Sequence, residues 1–225
     1  MGIRLAWAVS GRGMLARAIA EAGADRLLAT PVCLILTDRS SEIEEFTSER
    51  RIETARLHWD EGPDAFQTSI RALLREHRID WLGMTFNRLL APDVIADLNG
   101  QVLNVHMSLL PAFPGFGAVR MALNSGAART GATVHLADAG VDTGPIIAQA
   151  SCPILPEDTE GMLGRRIFEA CLPVLLQSVR WIERGALTVD GGAPRWLPRS
   201  GPSTMLDPKV DADLVKFAER YCARL

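Results

Sequence analysis

A chain of 225 residues, 48% hydrophobic, can bury one sizeable core, and its formal net charge of −3 leaves no basic excess of the kind that marks a general nucleic-acid binder. No run of about 18 apolar residues and no leader-like segment stands out, so a membrane-spanning reading falls away and a reducing cytoplasm is expected. The four cysteines, Cys33, Cys152, Cys171 and Cys222, are widely spaced and make no metal pattern, so buried thiols and no metal are expected.

Taken in order, the chain alternates strands and helices. Strands are predicted over 3–9, 32–37, a short 54–57, 81–85, 101–106, 130–137 and 146–153; helices over 14–21, 41–50, 63–75, 92–98, 117–125 and 159–184. That alternation implies an α/β fold with a mostly parallel central sheet. In the last helix Met162, Leu163, Ile167, Ala170, Cys171, Val174, Leu175, Val179 and Ile182 keep the 3.6-residue period of a core-facing stripe. Asp158 and Thr159 suit its amino cap, and Pro173 predicts a kink or a break. Beyond it, 190–194 reads as a turn, and 195–208, rich in Pro, Ser and Gly, as an irregular loop, with Trp196 and Arg199 as candidates to cover the substrate side. Residues 211–224 read as a helix with Leu214, Phe217, Ala218 and Tyr221 on one stripe. Docking on the core is its expected use, with a homodimer the alternative. Residues 1–188 are expected to form the catalytic domain and 189–225 an extension without a core of its own.

The chemistry gathers at one strand end. Asn104 and His106 lie two apart near the end of the 101–106 strand, so their side chains project to one face. The prolines and glycine of 107–116 then force a loop. Asp142 follows the 130–137 strand. If those strands neighbour each other, all three groups meet at the carboxyl edge, where open α/β sheets bind ligands. Asn and His can steady an oxyanion on a carbonyl carbon, and Asp can orient the imidazole or pass a proton. No activated nucleophile accompanies them. Ser108, just before the loop, reads as a turn hydrogen-bonder, which favours direct acyl transfer to an amine over a covalent acyl-enzyme.

The joint pattern Asn104-x-His106-x-Ser108-Leu109-Leu110-Pro111, Gly131-x-Thr133-Val134-His135 and Gly140-Val141-Asp142-Thr143-Gly144 closely resembles the folate-dependent formyltransferase family, over about residues 3–185. Its members include glycinamide ribonucleotide, methionyl-tRNA and sugar N-formyltransferases. The resemblance implies a Rossmann-like three-layer formyltransferase fold, and transfer of formyl from 10-formyltetrahydrofolate, as co-substrate, to a primary amine of a small molecule. It implies that Asn104 and His106 polarise the formyl group, while Asp142 sets the charge of His106 and helps move the amine proton. By the same resemblance the loop of Phe86, Arg88, Leu89 and Leu90 holds the pterin side through its backbone, and Ala137, Asp138, Gly140 and Val141 form a facing folate loop. Gly11, Arg12 and Gly13 match the substrate-phosphate loop, whose glycines and following helix start favour an anion. His135 matches a second histidine of the glycinamide ribonucleotide branch, with a direct role or a supporting hydrogen bond beneath the site as its two readings.

Departures from the family bear on the acceptor. Met107 follows the catalytic His where Pro or Gly is common. Met14-Leu15 stands where glycinamide ribonucleotide enzymes carry Ser-Asn, and a further His expected near Ala118 is absent. The acceptor is therefore open among glycinamide ribonucleotide, a sugar nucleotide and another small metabolite. The residues after Gly185 are too few for the tRNA-binding barrel of the methionyl-tRNA enzymes, so no nucleic-acid substrate is expected. A formyltetrahydrofolate hydrolase and a non-catalytic folate or nucleotide binder are the alternatives. A rival outline is a dinucleotide fingerprint, Gly11-x-Gly13-x-x-Ala16 with Asp38 as the ribose acid; alone, it says nothing of the Asn, His and Asp.

Overall fold

A computed structural model describes residues 2–196 and 209–225. The elements are β1 (Leu5–Val9), α1 (Met14–Ala24), β2 (Val32–Thr37), α2 (Glu42–Arg50), β3 (Glu53–Arg56), a 3₁₀ turn (Trp59–Glu61), α3 (Pro63–Glu76), β4 (Trp81–Thr85), α4 (Pro92–Asp97), β5 (Val102–His106), α5 (Ala118–Asn124), β6 (Arg129–Leu136), β7 (Ile146–Pro153), α6 (Glu160–Glu183), β8 (Leu187–Asp190), β9 (Ala193–Trp196) and α7 (Ala212–Cys222). The strand order is β3-β2-β1-β4-β5-β6-β7, the mostly parallel α/β sheet that the alternation of elements implies. The described residues divide into two compact units, the first ending at Asn104 and taking in Val189–Ala193, the second holding the rest.

In the first unit β1 pairs in parallel with both β2 and β4, β2 with β3, and β4 with β5. Strands covered on both faces must be apolar throughout, and β1 is buried at every residue. Trp7 lies against Gly83 of β4, where an added Cβ would come within 2.1 Å of the indole; only glycine leaves room for the ring. Because these strands are parallel, the loops after β1, β2 and β4 all leave by the same edge. That edge carries Ser10 to Gly13, Asp38 and Phe86 to Leu90.

In the second unit β6 and β7 form an antiparallel pair, with a register shift at Val134/His135. α6 packs on this pair. Thr159 caps it by accepting the Met162 N–H at 3.2 Å, and Asp158 takes the Leu155 N–H and pairs with Arg166. The helix runs through Pro173 without ending. Its buried face is wider than the expected stripe: Phe168, Leu172, Leu176, Gln177 and Arg180 are buried too, whereas Met162 in the first turn is exposed. The reason is that α6 is covered by the β6–β7 pair, by α7 and by α5. Arg180, only 3% exposed, donates to Asp211 at 2.9 Å and to Asp213 at 2.7 and 2.8 Å, while Gln177 Oε1 accepts the Asp211 N–H. α7 thus docks on α6, with Leu214, Phe217 and Tyr221 among its buried residues.

Two expectations need correction. Residues 190–194 do turn, at Gly191 and Gly192, but the turn joins β8 to β9 in a two-stranded ribbon that the sequence reading left out. Consequently Arg195 and Trp196 lie in a strand, with Trp196 edge-on to Trp181 at 5.2 Å, not in an irregular loop. Arg199, with the rest of 197–208, lies outside the described residues.

Candidate active site

Asn104 and His106 end β5, and strand alternation puts both on one face. His106 is 8% exposed. Its Nδ1 stands 3.1 Å from Asp142 Oδ2, and its Nε2 2.7 Å from the Phe113 carbonyl. A carbonyl oxygen only accepts, so Nε2 carries a hydrogen. When Nδ1 also donates, the ring is an imidazolium held against a carboxylate. Asp142 Oδ2 accepts the Gly115 N–H at 2.8 Å as well, and Oδ1 lies 3.5 Å from His135 Nε2. His135, 2% exposed, meets the Leu136 carbonyl through Nδ1 at 2.9 Å. Burial pushes its pKa below the usual histidine range, against the opposing pull of that bond and of Asp142, so the ring is neutral near pH 7.

The loop after β5 is fixed by polar groups buried beneath it. Thr133 Oγ1 donates to the Ser108 carbonyl at 2.7 Å and accepts the Leu110 N–H at 3.0 Å. Gln149 Nε2 donates to the Leu110 carbonyl and to Thr133 Oγ1, each at 2.9 Å. Ser108 donates to Ala112, which makes it the turn hydrogen-bonder its position implied. Phe113 and Asp142 take left-handed backbone conformations, φ 55° and 54°. Asp tolerates that region through its short polar side chain; Phe113 adopts it where its carbonyl is aimed at His106. In the 137–143 loop Asp138 Oδ1 accepts the Gly140 N–H and the Thr143 hydroxyl, so Asp138 shapes the loop from within. Val141 is left exposed.

The edge of the first unit is separately organised. Gly11 (φ 121°) and Gly13 (φ 62°) take conformations disfavoured for other residues, and Gly13 begins α1 with no side chain capping its first N–H groups. Arg12 points to Glu42 at 3.2 Å, Met14 is half-buried, and Leu15 belongs to the core face of α1. Asp38 has none of its side chain exposed: Arg39 grips both oxygens and Arg88 donates at 3.0 Å. Burial alone would raise its pKa, but the hydrogen bonds of Arg39, Ser10 and Arg88 outweigh it and hold the carboxyl below the usual range. A carboxylate so committed is not presented to a ribose, which removes the main support of the dinucleotide reading. Arg88 also lies over the Trp59 ring at 4.3 Å. Phe86 turns inward and stacks on Phe66 at 5.8 Å, whereas Leu89 is 58% exposed. Gln67 spans this loop, donating to the Leu89 carbonyl at 2.9 Å and accepting the Ala91 N–H at 3.0 Å.

Of the residues singled out from sequence, His106, Asp142 and His135 come together, and Asn104 shares the face of His106. Thr133 stood in the motif without a role. Gln149 and Gln67 were missed; a glutamine inside an apolar strand such as β7 was the available signal for the first, and the second carried none. Among the described residues no group of three His, Cys, Asp or Glu is placed to hold a metal ion, and no helix is long and apolar enough to cross a membrane.

Comparison with known proteins agrees with this geometry. Residues 3–179 match the formyl transferase family. The phosphoribosylglycinamide formyltransferase of Mycobacterium tuberculosis is 37% identical over 191 residues, 84% of this chain and 88% of that protein. The crystal structure of glycinamide ribonucleotide transformylase 1 from Symbiobacterium toebii superposes with a TM-score of 0.82 at 31% identity, covering 88% of this chain and 95% of that one. A formyltetrahydrofolate deformylase from Pseudomonas syringae, 18% identical with a TM-score of 0.79 over 87% of this chain and 66% of that one, shares the fold alone. The chain belongs to the formyl transferase family and is a 10-formyltetrahydrofolate-dependent enzyme that passes a formyl group to a small-molecule amine.

Proposed function

We propose that the acceptor is the primary amine of phosphoribosylglycinamide, and that Asn104, His106 and Asp142 carry the transfer. The observation behind the assignment of roles is the buried His106–Asp142 contact at 3.1 Å, whose second ring nitrogen already has a donor role at Phe113. Support for the acceptor comes from relatives that match along most of the chain.

The folate donor supplies the formyl carbon; the residues supply charge and position. As the amine attacks, negative charge grows on the formyl oxygen. His106 Nε2–H, held toward the Phe113 carbonyl, exchanges that neutral acceptor for the stronger oxyanion, and the Asn104 amide adds a second donor from the same strand face. Asp142, fixed by the Gly115 N–H, keeps Nδ1 protonated meanwhile. The new bond joins the amine nitrogen to the formyl carbon, the bond from that carbon to the folate nitrogen breaks, and the amine proton ends on the folate nitrogen. No electrons change hands, and the step asks no metal of the chain.

For the folate, the fit rests on backbone and apolar surface. Leu89 and Val141 are exposed apolar side chains on the loops assigned by resemblance, Phe86 and Leu90 contribute main chain, and Arg88 is fixed by Asp38. Ala137, Asp138 and Gly140 would serve through the backbone that Asp138 shapes. Gly11, Arg12 and Gly13 would take the acceptor phosphate on N–H groups at the start of α1. Residues 1–188 are the catalytic part in this reading and 189–225 an extension. The four free thiols, with Cys171 pushed up to about 12 by burial, suit a cytoplasmic setting.

A second acceptor, another small primary amine, is favoured by one observation: the side chains that follow Gly13 are Met14 and Leu15, and Arg12 is engaged by Glu42. Incubation with 10-formyltetrahydrofolate and phosphoribosylglycinamide, following tetrahydrofolate, tests both. Acceptor-dependent release is expected. Release at the same rate without amine would mean a hydrolase. Release only with an amino sugar nucleotide or another amine would replace the acceptor and leave the catalytic roles standing.

A further inference from the structure

We propose that Asp38 is a positioning residue for both substrates: from the loop after β2 it sets the loop assigned to the folate against the loop assigned to the acceptor phosphate. The inference rests on the roles given to those loops above and goes beyond them, to what holds the two in register.

The sheet supplies the starting geometry. β1 lies between β2 and β4, and Val9 pairs with Thr37 on one side and with Thr85 on the other. The next residues of the three strands, Ser10, Asp38 and Phe86, therefore leave the same edge side by side. Neighbouring strands stand about 4.8 Å apart, so two such spacings separate Asp38 from the start of the folate loop. Two routes cross that gap. Arg88 reaches back and donates from Nε to Asp38 Oδ2 at 3.0 Å. Ser10, on the strand between, donates its hydroxyl to Asp38 and accepts the Asn87 N–H at 2.9 Å. One carboxylate thus grips two successive residues of the folate loop, Arg88 by its side chain and Asn87 by its main chain through a hydroxyl.

The segment that carries Asp38 also holds the acceptor loop. Ser10 directly precedes Gly11, and Ser41 Oγ donates to the Gly11 carbonyl at 2.8 Å. Arg39 braces Asp38 with two bonds of 3.0 Å, and its own carbonyl is fixed by the Thr37 hydroxyl at 2.8 Å. None of the Asp38 side chain is exposed. It stays ionised because the bonds from Arg39, Ser10 and Arg88 outweigh burial. A buried charge needs partners, and here they come from the ends of three strands. A carboxylate that served only to end β2 would need none beyond its own loop.

Asp38→Asn keeps the shape of the side chain and removes its charge. KM for 10-formyltetrahydrofolate should rise about tenfold, the fold-change of one weakened charged hydrogen bond at a partly solvated arginine. KM for phosphoribosylglycinamide should rise with it, and kcat at saturation should stay at the wild-type value. Ser10→Ala should raise KM for the folate as well. Both residues act through one network, so the double variant should fall well short of the product of the two effects. Effects that multiply, a rise for one substrate alone, a loss confined to kcat, or unchanged KM values in a folded Asp38→Asn protein would each overturn the proposal. Hydrogen exchange on the wild-type protein and Asp38→Asn needs no turnover, and so separates this inference from the reading it rests on. Faster exchange is expected in both 10–13 and 86–91, and a change limited to the neighbourhood of residue 38 refutes it. Failure of the wild-type protein to formylate phosphoribosylglycinamide counts instead against the proposed acceptor.

Discussion

Replacing Asp142 by Asn is the sharpest perturbation of the site, because it preserves shape and removes charge. Among its contacts the carboxylate meets the Gly115 N–H at 2.8 Å, His106 Nδ1 at 3.1 Å and His135 Nε2 at 3.5 Å. An amide oxygen can keep the Gly115 bond, so the loop should stay in place. It cannot hold an imidazolium. Hydrogen bonds to charged groups are worth about 1.5–3 kcal/mol, and roughly 1.4 kcal/mol is tenfold in rate, so the lost charge pairing alone predicts a decrease of about ten- to a hundredfold. Loss of the proton path extends the range, since positioned acid–base groups contribute about 10²–10⁴. Steady-state release of tetrahydrofolate, with amine saturating, should therefore show kcat down by about 10²–10⁴, with little change in melting temperature or in KM. A folded Asp142→Asn protein within threefold of wild-type kcat would refute the reasoning and leave Asp142 as a loop residue.

Further outcomes follow from features away from the reacting atoms. Gln149→Leu removes the donor to Leu110 and Thr133 and leaves a buried carbonyl unsatisfied; a loss of about 1–3 kcal/mol in urea unfolding is expected, together with reduced kcat, and an unchanged midpoint would contradict the clamp. Arg180→Met breaks the contacts to Asp211 and Asp213. Because those carboxylates are half-exposed and solvated, the expected loss is nearer about 1–2 kcal/mol than the about 3–5 typical of a fully buried pair. Amide exchange should rise in α7, with catalysis unaffected. His135 has a folded pKa lowered by burial, so the unfolded chain binds the extra proton first. Stability should decline as pH falls through about 6.5, the unfolded histidine value. In His135→Gln that limb should be absent from a plot of unfolding free energy against pH.

Much of this structure could be read from the sequence because its signals were local. Apolar runs such as Val32–Thr37 and the period of α6 announce their elements directly, and β2 and β4 begin and end where expected. The proposed catalytic groups were legible because Asn104 and His106 share a strand face and Asp142 follows the next strand but for a short loop. What sequence did not show depends on partners distant along the chain. Gln149 is recognisable as a clamp only once β7 lies against β6; Gln67 only once α3 meets the loop after β4. Asp38 reads as a ribose ligand until Arg39 and Arg88 are seen to occupy it. The β8–β9 ribbon was missed for a different reason: its strands are four residues each, so the Gly191-Gly192 turn outweighed the short alternation on either side.

The pinned loop after β5 also marks what can be redesigned. Its anchors are Ser108, Leu110, the Phe113 carbonyl and the Gly115 N–H, and each is bonded to Thr133, Gln149, His106 or Asp142. Phe116, the next side chain, is 70% exposed and lies past the last of them. A library varied at Phe116 would therefore sample new surface beside an unaltered candidate site, whereas Gly117, at φ 80° where α5 begins, is best kept, and a library begun a few residues earlier would vary the candidate site itself.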